Sequence, residues 1–72
     1  MKSTNRKIVN FIAKWISEAE SMNSFATLHG IDEKTARSIM NDNFYTISFI
    51  TICRICEARH LKLHEFFKMV DV

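Results

Sequence analysis

The sequence contains no proline and a single glycine, Gly30. A small all-β domain needs several tight turns, and these draw on glycine, proline and asparagine. That supply is nearly missing, so short helices joined by short connections are expected. The two cysteines, Cys53 and Cys56, are too few for a disulfide framework, and three positions apart on one helix they do not bridge. No run of about 18 apolar residues is present, so no membrane span is expected. Lys2, Arg6, Lys7 and Lys14 interrupt the apolar residues of the first segment. No secretory leader is expected there, and a reducing cytoplasm is the expected compartment. A glycine-rich phosphate loop, a serine-nucleophile motif and a plausible carboxylate pair are also missing. Neither catalysis, a cofactor nor a small-molecule substrate is expected.

What is present is a globular balance. Hydrophobic residues make up 47% and charged residues 25%, which is not the composition of a disordered chain. At 72 residues the chain holds one domain, residues 1–72. A core this small supplies about 3–5 kcal/mol, so help from a partner subunit, a metal or a disulfide is expected. The net charge of +2 permits nucleic acid as a partner without demanding it.

Five helices are expected from the patterning. Ile8, Ile12, Trp15, Ile16 and Ala19 recur at three- and four-residue steps, which makes one face of a helix over Asn5–Glu20. Ser3, Thr4 or Asn5 is placed to cap it. Ser21 starts a short helix, Met22–His29, and Gly30 sits where a left-handed residue stops one. Asp32 caps a third, Glu33 to about Asn41, whose apolar side is Ala36, Ile39 and Met40. Asn41-Asp42-Asn43 reads as a loop. The stretch FYTISFITI has strand propensity, yet Ser48 is a good cap and Ile52, Ile55, Cys56 and Arg59 keep helical spacing. A fourth helix over Phe49–Arg59 and a fifth over Leu63–Val70 complete the chain.

The segment Ser21–Met40, SMNSFATLHGIDEKTARSIM, has the spacing of a helix-turn-helix spanning residues 21–41. Ala26 is small where a second helix crosses. Gly30 makes the turn, and Ile31 and Ile39 bury between the helices. FATLHGIDEKTARSIMND parallels the run LAEKLGVSRSTISRIERG of the lambda-repressor-like helix-turn-helix family (Cro/repressor or XRE type). SFITICRICEARHLKLHEFF resembles that family's SLETLLKIAKALGVSLDELF without a gap. The resemblance covers about residues 8–67. It implies an all-α, five-helix DNA-binding domain and a transcriptional regulator acting on double-stranded DNA. The chain departs from the pattern at Met22, where the family has a phosphate-reaching Gln. It departs again at Met40-Asn41-Asp42, at Arg59 for a Leu, at His60 for a helix-ending Gly, and in the acidic pair Asp32-Glu33.

By matching positions, the resemblance implies that Glu33, Lys34, Arg37 and Ser38 read base edges. Arg37 suits guanine with two hydrogen bonds, and Glu33 suits the cytosine amino group. Ser21 and Asn23 at the start of the second helix, Thr35, and Asn41, Asn43, Tyr45 and Thr46 in the loop are the expected phosphate contacts. Lys2, Arg6 and Lys7 add unspecific attraction. Each of these residues has a plainer reading as a solvated surface group, and Glu33 also suits a helix N-terminus simply as an acid.

Cys53, Cys56, His60 and His64 have ligand chemistry, but on one helix they span about 16 Å. Tetrahedral zinc needs all four within about 2.3 Å of the ion, so no metal is expected. The resemblance instead puts Cys56 at a buried small position. Phe66, Phe67, Met69 and Val70 crowd the C-terminal helix, and Phe11 and Trp15 are large for so small a core. A homodimer interface of Phe66, Phe67, Met69 and Val70 is expected, and it would act as a repressor on a palindromic operator. The competing expectation is a protein-interaction module or antitoxin on the same fold. Its apolar C-terminal surface would then hold a protein partner such as a toxin.

Overall fold

The computed structural model describes residues 3–72 as five helices with no strand among them. They are α1 (Thr4–Glu18), α2 (Met22–His29), α3 (Glu33–Asn41), α4 (Phe49–Ala58) and α5 (Leu63–Val70). No described helix is long and apolar enough to cross a membrane. The β-prone stretch divides in two. Residues 45–48 are extended and irregular, and the helix begins after Ser48. Burial of Ile52, Ile55 and Cys56 on one face outweighs the strand propensity of the local residues.

Serine starts three of the helices. Ser3 Oγ accepts the Arg6 N–H at 3.1 Å, Ser21 Oγ the Ser24 N–H at 3.0 Å and Ser48 Oγ the Thr51 N–H at 3.1 Å. Each such cap contributes about 1 kcal/mol. Asp32 stands at the cap position of α3 with extended backbone, but its carboxylate makes no capping hydrogen bond. At α5, Glu65 Oε1 accepts the Lys62 N–H at 2.9 Å.

Three helices end alike. Gly30, His60 and Asp71 have φ of 67°, 57° and 68°. The N–H of the residue after each one bonds back five residues: Ile31 to the Ala26 carbonyl at 3.0 Å, Leu61 to Cys56 at 2.9 Å and Val72 to Phe67 at 3.2 Å. This closes the orphan carbonyls of a helix end. Only the first uses glycine. A Cβ at Gly30 would meet nothing within 4 Å, so glycine serves the backbone angle there and not a close approach.

The core gathers Ile8, Val9, Ile12 and Ile16 of α1, Phe25 and Ala26 of α2, and Ala36 and Ile39 of α3. Ile47, Ile52, Ile55, Cys56, Phe66 and Val70 complete it. Around Phe66 lie Phe11 at 6.0 Å, Trp15 at 5.8 Å and Phe67 at 5.7 Å between ring centroids. This arrangement corrects the expected C-terminal interface. Phe66 is fully buried and Val70 nearly so, because both fill the gap between α1 and α5. Phe67 is half-buried, and only Met69 of the four is open, at 48%. The surplus aromatic bulk that suggested a partner is spent inside the chain.

His60 holds a left-handed backbone with an exposed side chain, a conformation that costs a residue with a Cβ about 1–2 kcal/mol. His60→Gly is expected to raise the unfolding free energy by about 0.5–1 kcal/mol in urea titration. Equal or lower stability would contradict the assignment of that turn.

Candidate nucleic-acid interface

On α3, Ala36 and Ile39 bury against the core. At 100° per residue, Lys34, Arg37, Ser38 and Asn41 fall on the opposite side, with Glu33 at its edge. Glu33, Lys34, Arg37 and Asn41 are exposed, while Ser38 and Thr35 are half-buried at the flanks. Met40, expected on the apolar side, is exposed at the margin.

One contact orders this face along α3, and a second joins it to the start of α2. Arg37 Nη2 donates to Glu33 Oε1 at 2.8 Å, and Asn23 Nδ2 donates to Glu33 Oε2 at 3.3 Å. Glu33 thus ties a candidate base reader to a candidate phosphate contact. The Arg37–Glu33 pair is solvent-exposed and contributes only about 0.3–0.5 kcal/mol, so it is easily exchanged for another partner. Ser21 is exposed, with its hydroxyl engaged in the cap. Between Ser21 and Asp42 the chain sets Lys34 and Arg37 against Asp32, Glu33 and Asp42. The face is therefore close to neutral and slightly acidic.

The loop candidates form a second group. Asn43 and Thr46 are exposed and Tyr45 is half-buried. A side chain from the far end of the sequence holds this loop. Asn5 Nδ2 donates to the Tyr45 carbonyl at 2.9 Å, and Asn5 Oδ1 accepts the Ile47 N–H at 2.9 Å. The amide behaves as one rung of a strand ladder, so a segment without regular structure is rigidly placed. Asp42 starts the turn: its Oδ1 accepts the Phe44 N–H at 2.9 Å, and its carbonyl accepts the Tyr45 N–H. In the sequence Asn5 stands out only as a helix-cap candidate. Nothing local reveals a partner about 40 positions away.

The N-terminal cations are partly occupied. Arg6 Nη2 donates to Asn10 at 3.0 Å, and Lys7 Nζ donates to the Asp71 carbonyl at 3.3 Å. Lys2 lies outside the described residues. Two further arginines, not expected as structural, hold neighbouring elements together. Arg54 Nη1 donates to the Gly30 carbonyl at 3.0 Å, tying α4 to the turn. Arg59 lays its guanidinium over Trp15 with Cζ 3.9 Å from the ring centroid. That contact gives the Arg59 side chain a packing role beside its charge. Burial holds the Arg59 pKa below its ordinary range, with nearby Glu18 opposing the shift.

The cysteines play no part in this face. Cys56 is buried and its thiol is pushed up by burial, with Cys53 adding to the effect. Among the described residues no group of three or more His, Cys, Asp and Glu could hold a metal ion. No family model, curated protein or solved structure matches this chain.

His29 closes α2 just before Gly30. Its ring stacks on Phe25 at 3.8 Å, and its Nδ1–H donates to the Phe25 carbonyl at 2.7 Å. Burial lowers its pKa below the usual 6.5; the hydrogen bond opposes this and the Arg59 charge adds to it. The unfolded chain then takes up a proton at His29 more readily than the folded one. Stability is retained above the usual value and falls as the pH drops below it. The unfolding free energy is expected to decline as the pH falls below about 6.5, with a shallower decline in His29→Gln. An unchanged slope in that variant would contradict this account.

Proposed function

We propose that this chain is a sequence-specific double-stranded-DNA-binding transcriptional regulator on a lambda-repressor-like helix-turn-helix domain. It acts as a repressor, as a homodimer on a palindromic operator. The observation that carries this reading is the single exposed face of α3, joined through Glu33 to the capped start of α2. A face of that kind suits a major groove about 12 Å wide, with the N-terminus of α2 against a phosphate. The two segments that resemble the family, residues 25–42 and 48–67, support the same reading.

In the free protein Glu33 holds Arg37 in place across one helical turn. On DNA, Arg37 leaves the carboxylate for the O6 and N7 of a guanine, and Glu33 becomes free to accept from a cytosine amino group. Lys34 and Ser38 read base edges beside them, while Asn41 at the end of α3, the loop residues Asn43, Tyr45 and Thr46, and Ser21, Asn23 and Thr35 hold the phosphates. Occupancy of the operator blocks polymerase, so the reading requires neither an effector domain nor a catalytic step.

The near-neutral charge of the α2–α3 face favours a second reading, a module that binds a protein partner. One pair of substitutions separates the two. Lys34→Ala with Arg37→Ala is expected to weaken duplex binding at least tenfold and to flatten its salt dependence. The fold is preserved, because both side chains are exposed. Filter or anisotropy titration at two salt concentrations reads this out. Duplex binding equal to wild type would overturn the assignment of α3 as the reading helix.

A further inference from the structure

The most open large apolar side chains outside α2 lie just after α3. Phe44 is 92% exposed, Phe49 61% and Ile50 64%. Their backbone is not loose. Phe44 follows the Asp42 turn, Asn5 clamps Tyr45 and Ile47 on either side of Thr46, and Ser48 caps the helix turn that carries Phe49 and Ile50. Polar residues at these three positions would cost the monomer little, since none of the three side chains belongs to its core.

Charge points to the occupant. From Asn43 to Cys53, eleven consecutive residues carry no charged side chain. A twofold interface sets a patch against its own copy, so every charge near the axis meets a like charge. A neutral aromatic patch escapes that repulsion, and it offers nothing for a charged foreign partner to recognise. The outer side of α5, by contrast, exposes Lys62, His64, Glu65 and Lys68 around Met69.

We propose that the Phe44, Phe49 and Ile50 surface is the docking site for a second copy of this chain. The pairing of two α3 helices over DNA rests on the DNA-binding reading above; the dimer itself does not. The three side chains offer on the order of 400 Å² per copy, about half of a standard interface share. The dimer is accordingly weak in solution and strengthened by two adjacent half-sites.

Sedimentation velocity of the full chain from about 10 μM to about 1 mM tests this. The wild type is expected to pass from monomer toward dimer. Ile50→Lys and Phe49→Lys are expected to weaken association at least tenfold while helix content and thermal midpoint stay unchanged, and Met69→Lys is expected to associate like wild type. A wild type that stays monomeric throughout would overturn the proposal. So would patch variants that associate like wild type, or association lost only in Met69→Lys. A dimer lost in Ile50→Lys, in a protein that selects no DNA, upholds this surface and rejects the DNA-binding reading instead.

Discussion

Four of the five helices have ten residues or fewer, and helices of that length are marginal alone in water. Each must have its ends closed and one face buried before it can exist. The chain meets that constraint with serine caps at the starts of α2 and α4, the Glu65 carboxylate at the start of α5, left-handed residues at the ends of α2, α4 and α5, and core burial for α3. The same constraint makes the candidate reading face possible. α3 can leave Glu33, Lys34, Arg37 and Asn41 in solvent because Ala36 and Ile39 anchor it and Gly30 turns the chain sharply enough to bring α2 alongside.

Rigidity reaches beyond the helices through side chains that mimic backbone. Asn5 supplies both a donor and an acceptor to the loop after α3, and Arg54 reaches the carbonyl of the α2–α3 turn. These bonds fix irregular segments relative to the core at little cost in burial. Arg59 does similar service between α1 and α4, where its planar cation covers Trp15 as a leucine would cover a smaller neighbour. Charge is distributed in keeping with this structural use. Several cations hold carbonyls or aromatic faces, and the α3 face keeps only Lys34 and Arg37, one of them paired.

Much of this was legible in the residues. The bounds of α2, α3 and α5 follow from Ser21, Gly30, Asp32 and the apolar spacing, and the positive φ of His60 agrees with the glycine position the resemblance assigned to it. α4 was readable despite its strand-prone residues because Ser48 and the spacing of Ile52, Ile55 and Cys56 agree with one another. What escaped depends on contacts distant in sequence. The Asn5 clamp joins residues about 40 apart. The burial of Phe66 and Val70 depends on how α1 lies against α5, which no periodicity reveals. For the same reason the open apolar residues turned up at Phe44, Phe49 and Ile50, where local pattern suggested only a loop and a helix start. The Arg37–Glu33 pair was implicit in the four-residue spacing.

The central claim is that the α3 face reads base sequence. Selection from a random duplex pool with the purified chain at moderate salt, followed by sequencing of what survives, tests it most directly. The account predicts an enriched palindrome with half-sites about one helical turn apart. A pool without enrichment, with generic binding that fades steeply as salt rises, would leave only phosphate attraction and contradict it.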